Sequence, residues 1–314
     1  MRVAFLGTPD FALPSLKKLV NAGHEVCVFT QPDRPKGRKG ELAMPAVKAL
    51  AQELGLPVFQ FEKIRSPESV AALKAFSPDL MVTAAFGQLL SQENLDIPRL
   101  GCINVHGSLL PKYRGAAPIQ WAVIDGEPCT GVTAMYTDIG LDTGDILLSR
   151  KIEIGPDEIA GELFVRMAEL GAQVLMETVA ALEQGTLAHV KQDEALATHC
   201  RMIQKEQALV DFAWPAGRIH NLVRGMNPWP VGYALLDGQT VKLWRTALLA
   251  EESLPSFSGA LPGTCVIADP KAGLFVRTGD GVIEILELQF PGARRMSAKE
   301  TLLGRPLLGK VFGA

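Results

Sequence analysis

The sequence predicts an α/β protein with a Rossmann-like, doubly wound and mostly parallel sheet, followed by a small C-terminal β-barrel. Two observations support this prediction. In the first half, continuous apolar runs alternate with segments of helical periodicity, which is typical of parallel strands buried on both faces. After residue 206, short alternating runs separated by Gly and Pro replace that pattern, as expected for an antiparallel barrel.

The elements of the predicted sheet follow from the spacing of apolar residues. Strands are expected at 2–7, 24–30, 57–60, 79–86, 101–106, 130–138 and 145–154. The first helix is expected to begin with Thr8 as its N-cap and Pro9 in its first turn. The last two strands have no helix between them, so they are expected to extend the sheet as antiparallel strands at one edge. A long amphipathic helix over 158–184 ends at Gly185.

The second half divides from the first by composition. We expect a first domain over 1–189, a linker over 190–205 and a β-barrel domain over 206–314. Two hairpins are predicted within the last domain, one at Asp237–Gly238 and one around 279–281.

Composition excludes several classes of protein. Of the 314 residues, 47% are hydrophobic and 21% charged, which is ordinary for a globular chain. The five cysteines are scattered, and none lies with His or Cys at metal-ligand spacing, so no metal site is expected. The sequence after Met1 lacks the pattern of a signal peptide, and no apolar run approaches the roughly 20 residues of a membrane span. A reduced, cytoplasmic protein without membrane contact is therefore expected.

Net charge is −3, but the charge is unevenly distributed. Residues 1–189 carry 17 basic and 22 acidic side chains, whereas residues 206–314 carry 11 and 10. Within the loop at 30–45, which is long for a strand-to-helix connection, four basic residues lie close together. They are Arg34, Lys36, Arg38 and Lys39. This loop is either a solvated, mobile insert or a contact for phosphate groups.

A polar pair closes the strand at 101–106. Asn104 and His106 are two residues apart, so both side chains leave the same face of the strand. They stand at its carboxyl end, where open α/β sheets hold their ligands. They are either a hydrogen-bonded structural pair or reactive groups, and the Gly-Ser loop that follows favours the second interpretation. The first strand-to-helix turn, GTPDF, lacks the GxGxxG fingerprint of a dinucleotide site.

Three aspartates occupy the loop DIGLDTGDIL between the last two strands. Asp138, Asp142 and Asp145 do not have the spacing of an EF-hand. Each carboxylate either caps backbone N–H groups in a turn or orients the His106 ring. Spacing alone leaves open which aspartate does so.

With these residues identified, the chain resembles the methionyl-tRNA formyltransferase family nearly end to end. HGSLLPKYRGAAPIQ (106–120) and GLDTGDIL (140–147) are similar to the signature of folate-dependent formyltransferases. GTPDFALPSL (7–16), TQPDRPKGR (30–38) and RGMNPWPVGY (224–233) are similar to the tRNA enzymes in particular. Gly107 differs from the Ala that is frequent in the family, and both residues are small.

The resemblance implies transfer of a formyl group from 10-formyltetrahydrofolate to the α-amino group of methionyl initiator tRNA. The enzyme is expected to be a monomer. The resemblance also implies that Asn104, His106 and Asp142 are catalytic. Contact with the folate is implied for Ser108, Leu109, Leu110 and Pro111. Contact with the tRNA acceptor stem is implied for the inserted loop of 31–44, Arg38 in particular, and the candidate contacts are its basic residues Arg34, Lys36, Arg38 and Lys39. The domain over 1–189 is then catalytic, and the domain over 206–314 resembles an OB-like barrel that touches the tRNA body.

Two alternatives remain. A formyltransferase acting on glycinamide ribonucleotide or a nucleotide sugar would share the motifs at 104–111 and 140–147, but would not require the basic insert at 31–44 or the second domain. A catalytically silent RNA-binding protein would keep the basic residues, but it would have no reason to retain the Asn104 and His106 pair.

Overall fold

The computed structural model describes residues 1–36, 40–249 and 259–313. The chain divides into two compact units. Unit 1 comprises residues 1–118, 130–153 and 164–200, and unit 2 comprises residues 119–129, 154–163 and 201–314. The units therefore interleave along the sequence, because two segments of the first half belong to unit 2.

The strands in the described part of the chain range from two to ten residues. They are β1 (Arg2–Gly7), β2 (Glu25–Thr30), β3 (Arg34–Lys36), β4 (Glu41–Ala43), β5 (Val58–Gln60), β6 (Leu80–Ala84), β7 (Cys102–His106), β8 (Arg114–Gly115), β9 (Cys129–Tyr136), β10 (Ile146–Glu153), β11 (His199–Cys200), β12 (Gly232–Leu236), β13 (Gln239–Leu248), β14 (Cys265–Asp269), β15 (Gly273–Arg277), β16 (Val282–Gln289), β17 (Met296–Ser297) and β18 (Phe312–Gly313). The helices are α1 (Leu13–Asn21), α2 (Ala46–Glu53), α3 (Pro67–Phe76), α4 (Gln92–Leu95), α5 (Pro118–Ile124), α6 (Ala160–Glu183), α7 (Ala216–Gly225) and α8 (Ala298–Leu302).

Unit 1 is built on a sheet with the strand order β10-β9-β7-β6-β1-β2-β5. Strands β6, β1, β2 and β5 pair in parallel, as do β6 and β7. Strand β9 runs antiparallel to β7, and β10 lies beyond it at the edge. Residues of the central strands, such as Phe5 and Leu6, are fully buried, and each stabilises the fold by roughly 1.5–3 kcal/mol. The predicted doubly wound sheet is confirmed, including its antiparallel edge.

The first helix begins later than predicted. A 3₁₀ turn at Asp10–Ala12 precedes α1, whose first turn contains Pro14. Thr8 does not cap a helix, because its hydroxyl donates to the carbonyl oxygen of Phe86 at 3.0 Å, after strand β6. The expected cap is therefore wrong, and the hydroxyl instead connects two neighbouring strand ends.

Unit 2 contains an antiparallel sheet with the order β14-β15-β16-β13-β12-β18. The two ends of this order are joined by hydrogen bonds, from Cys265 N–H to the Lys310 carbonyl and from Phe312 N–H to the Gly263 carbonyl, both 2.8 Å. The sheet therefore curls into a small barrel, as predicted. Both expected hairpins are present, because Leu236 pairs with Gln239 and Arg277 with Val282.

Candidate active site

The amide of Asn104 is oriented by its neighbour on the adjacent strand. Asn104 and His106 lie at the carboxyl end of β7, next to β6. The Thr83 hydroxyl donates to Asn104 Oδ1 at 2.9 Å. Because Oδ1 is occupied in this way, the NH₂ group of the amide turns towards Asp142, whose Oδ1 lies 3.4 Å from Asn104 Nδ2. An N–H donor is thus held at the edge of the sheet where ligands of this fold bind.

Asp142 contacts both residues of the polar pair. Its Oδ2 lies 3.6 Å from His106 Nδ1 and accepts a 2.8 Å hydrogen bond from the backbone N–H of Gly115. The residue has φ +56°, in the left-handed region that Asp and Asn tolerate better than most residues. The carboxylate therefore occupies the space between the amide and the imidazole, although 36 residues separate it from His106 in the sequence.

The ring of His106 is fixed from its other side. Its Nε2 lies 2.9 Å from the carbonyl oxygen of Tyr113, which can only accept, so Nε2 carries a proton. Its Nδ1 then faces Asp142 across 3.6 Å. The side chain is only 6% exposed, and Nδ1 is the ring atom at which a proton can be gained beside a negative charge.

The other two aspartates of this loop have local partners. Asp138 Oδ1 accepts from the Gly140 N–H at 3.0 Å and from the Thr143 hydroxyl at 2.7 Å, as in an Asx turn. Asp145 Oδ2 lies 2.7 Å from Nδ1 of the exposed His189. Of the three carboxylates, Asp142 alone has described contacts with Asn104 and His106.

The segment from Ser108 to Pro111 forms a tight, buried turn. Ser108 is fully buried, and its hydroxyl donates to the Lys112 carbonyl at 2.6 Å. The Leu110 N–H donates to the Thr133 hydroxyl at 3.2 Å. Both polar groups are thus engaged within the protein. The half-buried Leu109 and Pro111 are the members of the segment left to contact a ligand through apolar surface.

Residues beyond β6 and in the aspartate loop add apolar surface near this strand edge. Leu89 is 59% exposed after β6, and Leu141, next to Asp142, is 52% exposed. The carbonyl of Phe86 accepts from both Thr8 and Gln31, at 3.0 and 3.3 Å, which fixes the chain where it leaves β6. This apolar surface was not among the predictions from the sequence. The short apolar stretch FGQLL after the strand was the only signal that could have indicated it.

The predicted basic loop forms a β-hairpin. Strands β3 and β4 pair antiparallel, with Arg34 opposite Ala43 and Lys36 opposite Glu41. The Arg34 guanidinium lies 2.5 Å from the carboxylate of Glu62, and both side chains are exposed. Arg38 and Lys39 lie outside the described residues. The hairpin is separate in sequence from the triad of Asn104, His106 and Asp142, and its role in binding stays a prediction.

The thiol on the same strand as the polar pair is inert. Cys102 lies on β7 two residues before Asn104 and is 2% exposed. Burial raises the pKa of this thiol to about 12, so the nucleophilic thiolate is negligible at neutral pH. Among residues 1–36, 40–249 and 259–313, no group of three or more His, Cys, Asp or Glu side chains could hold a metal ion. Within the same residues, no helix is long and apolar enough to cross a membrane.

Comparison with known proteins identifies the chain. The formyl transferase family matches residues 1–179, and its C-terminal domain matches residues 202–306. The methionyl-tRNA formyltransferase of Acetivibrio thermocellus is 49% identical over 315 residues, covering 100% of both chains. That of Ruminiclostridium cellulolyticum is 47% identical over 98% of this chain and 97% of its own.

The chain belongs to the methionyl-tRNA formyltransferase family. The resemblance stated from the sequence motifs is thereby confirmed, and so is the assignment of the chain as an enzyme of this class.

Solved structures with the same fold include other formyltransferases. The N-formyltransferase from Helicobacter canadensis, solved with folinic acid and dTDP-3-aminofucose, has a TM-score of 0.67 at 17% identity and covers 94% of this chain and 99% of its own. HypX from Aquifex aeolicus, solved with tetrahydrofolic acid, has a TM-score of 0.64 at 18% identity over 96% of this chain and 47% of its own. At these identities the likeness shows the fold alone.

Proposed function

We propose that this chain transfers the formyl group of 10-formyltetrahydrofolate to the α-amino group of methionyl initiator tRNA, giving formylmethionyl-tRNA for translation initiation. The observation that carries the proposal is the placement of Asp142 between the Asn104 amide and the His106 ring at the ligand-binding edge of the sheet. Full-length identity of 47–49% to methionyl-tRNA formyltransferases supports the choice of tRNA as acceptor.

Asn104 is the proposed oxyanion donor. When an amine attacks a formyl carbon, negative charge develops on the carbonyl oxygen. Because Thr83 holds Asn104 Oδ1, the amide N–H groups are oriented before substrate binds. One such preorganised donor contributes roughly 2.7–4 kcal/mol to transition-state stabilisation, or about 10²–10³ in rate.

His106 and Asp142 are the proposed proton-handling pair. The attacking amine must lose a proton as the new C–N bond forms, and the bond between the formyl carbon and folate N10 breaks as N10 takes up a proton and leaves in tetrahydrofolate. His106 can accept a proton at Nδ1, where Asp142 stabilises the positive charge, while its Nε2–H remains on the Tyr113 carbonyl. The carboxylate thus acts on the charge and orientation of the ring.

The residues fit a flat heteroaromatic co-substrate with apolar faces and polar edges. Leu109 and Pro111 are half-buried in the segment proposed to contact the folate, and Leu89 and Leu141 expose apolar surface after the neighbouring strand ends. The co-substrate supplies the activated formyl group. The protein's task is to orient that group and exclude water from it. We retain Ser108 and Leu110 in the proposal as residues that shape the turn through their hydrogen bonds.

The tRNA is expected to contact both units. In the barrel, Trp244 is flanked by the ammonium of Lys242, 6.0 Å from its ring centroid, and the guanidinium of Arg295 at 4.7 Å. Aromatic and basic side chains in such proximity are typical of nucleic-acid surfaces. In unit 1, we propose that the hairpin residues Arg34 and Lys36, together with the other two basic residues of the loop, Arg38 and Lys39, contact the acceptor stem.

A formylation assay tests the proposed function. 10-Formyltetrahydrofolate is offered with methionyl initiator tRNA, methionyl elongator tRNA, glycinamide ribonucleotide and a dTDP-amino sugar in parallel. We expect transfer to the initiator tRNA with kcat/KM in the range of about 10⁴–10⁸ M⁻¹s⁻¹ that is ordinary for enzymes. Faster transfer to either small molecule would replace the proposal with the corresponding small-molecule formyltransferase.

Two matched charge reversals test the barrel surface. Lys242→Glu lies beside Trp244, whereas Lys271→Glu makes the same change on an exposed turn between β14 and β15. We expect the first to raise the KM for tRNA and to lower its salt dependence, because a phosphate contact is lost. Equal effects of the two variants would contradict this surface. Sedimentation and cell fractionation would test the further proposal that the protein is a cytoplasmic monomer.

A further inference from the structure

The loop that carries Asp142 is held by a glutamine from a distant segment. The side-chain NH₂ of Gln192 donates to the backbone carbonyl of Asp142 at 2.8 Å and to that of Gly144 at 2.7 Å. These two hydrogen bonds hold the loop at the residues on either side of Thr143. They act on the backbone of Asp142, and the carboxylate of Asp142 remains directed at Asn104 and His106.

The Gln192 amide is itself locked by a buried arginine. Its Oε1 accepts from Arg114 Nε at 3.0 Å and from Arg114 Nη2 at 2.9 Å. Since Oε1 faces only donors and Nε2 faces only carbonyl acceptors, the amide has one consistent orientation. Arg114 is 1% exposed, and it is held in turn by Glu194, whose two carboxylate oxygens lie 2.9 and 2.7 Å from the guanidinium.

The Asp142 loop needs such a hold for two reasons. Asp142 has φ +56°, a conformation that costs a non-glycine residue free energy unless its surroundings impose it. The loop also has little apolar anchorage, since Ile139 is 72% exposed and Leu141 is 52% exposed. The position of the Asp142 carboxylate therefore depends mainly on hydrogen bonds.

Arg114 and Gln192 belong to two paired segments, and these segments contact both the side chain and the backbone of Asp142. The residue after Arg114 is Gly115, whose N–H donates to Asp142 Oδ2 at 2.8 Å. The segment after Gln192 pairs with the same stretch, because the Arg114 N–H donates to the Thr198 carbonyl at 2.8 Å. The side chain and the backbone of Asp142 are thus held by one hydrogen-bonded unit.

We propose that Gln192, locked by Arg114 and Glu194, is a positioning residue that sets the orientation of Asp142 for formyl transfer. The inference rests on the proposed function for its kinetic readout. It assigns a role in turnover to the segment between the two predicted domains.

Two substitutions separate hydrogen bonding from volume. Gln192→Glu keeps the size and the acceptor for Arg114, but replaces the NH₂ donor by an oxygen facing two carbonyls. Gln192→Ala removes the whole amide. We expect both to lower kcat by about 10- to 100-fold, because a small displacement of a catalytic group has that cost. KM values for tRNA and folate should change less than about threefold, since Gln192 does not touch either substrate in this scheme.

Gln184→Glu is the matched control, because it makes the same chemical change at an exposed position just after α6. It should retain wild-type kcat. A merely space-filling role would leave Gln192→Glu near wild type and impair Gln192→Ala alone, and that pattern would overturn the proposal.

Hydrogen exchange supplies a readout independent of activity. Amides of residues 138–145 should exchange at least about tenfold faster in Gln192→Glu, while the rest of unit 1 and the melting temperature stay close to wild type. Wild-type kcat in Gln192→Glu would overturn the proposal, whether exchange of residues 138–145 is faster or unchanged. A general loss of protection across unit 1 would overturn the proposal too. If the unaltered protein transfers no formyl group, the proposed function fails, and the exchange comparison still tests whether Gln192 holds the loop.

Discussion

The sharpest single test of the site is the replacement of Asp142 by asparagine. The substitution keeps the size of the side chain but removes its charge and one of its two acceptors. Asp142 Oδ1 faces the Asn104 NH₂ group and Oδ2 accepts from the Gly115 N–H. An asparagine has one acceptor for these two donors, so either the amide of Asn104 or the backbone N–H loses its partner.

The expected loss of kcat in Asp142→Asn follows from the distance between the charges on His106 and Asp142. Unit charges on His106 Nδ1 and Asp142 Oδ2, 3.6 Å apart, attract each other by roughly 4–5 kcal/mol at an effective dielectric constant of about 20. The two side chains are 6% and 13% exposed, so bulk water screens the pair only in part. Allowing for the dipole that asparagine retains, we expect Asp142→Asn to lower kcat on the order of 10²–10³-fold, or roughly 2.7–4 kcal/mol.

The assay is single-turnover formyl transfer with both substrates saturating, which isolates the chemical step from product release. Asp145→Asn is the control, because it makes the same change three residues away at a carboxylate paired with the exposed His189. Exposed pairs contribute about 0–1 kcal/mol, so the control should remain within a few fold of wild type. Equal rates for the two variants would refute the role given to Asp142.

Three further predictions concern the strand, the loop and the thiols. Asn104→Ala should lower kcat by about 10²–10³-fold with the melting temperature retained, and a loss expressed only in KM would count against an oxyanion donor. Gly144→Ala should reduce the free energy of unfolding in urea by more than about 2 kcal/mol, because the new methyl group would overlap a backbone carbonyl of β9. Gly217→Ala is the control: the new methyl group lies in open space on α7, so the free energy of unfolding should rise by about 0.5–1 kcal/mol. The half-buried Cys129 should react with a thiol reagent before Cys102, because burial raises the pKa of the Cys102 thiol to about 12. Labelling of both thiols at the same rate in the native state would contradict that order.

Much of the fold was predictable because its strands are buried on both faces. A continuous apolar run such as LMVTAA before Phe86 has few other structural explanations, and β6 lies within the predicted range. The first helix was misplaced because Thr8 and Pro9 satisfy a local capping rule, while the Thr8 hydroxyl finds a partner 78 residues away. Helices α5 and α7 were missed for different reasons. Helix α5 spans only Pro118–Ile124, and α7 lies beyond residue 206, where frequent Gly and Pro indicated short strands instead.

The site was predictable in its residue types more than in its contacts. The alternation along β7 showed that Asn104 and His106 leave the same face, which needs only the period of a strand. Which aspartate reaches them depends on the path of a loop with a left-handed residue at its centre, and spacing does not encode that path. The contacts of Gln192 could not be predicted either, since its side chain donates to backbone carbonyls 48 and 50 residues away.

The pairing of β8 with β11 has a consequence for the order in which the protein becomes active during synthesis. Strand β11 ends at Cys200, so the hydrogen bonds that support residues 114–116 form only after that residue has left the ribosome. A nascent chain that stops at the end of α6 has every proposed catalytic group but lacks the segment that fixes them. At about 5–20 residues per second, the interval between those two states lasts on the order of a second. The proposed catalytic groups are therefore fixed in place only after the whole of unit 1 has been translated.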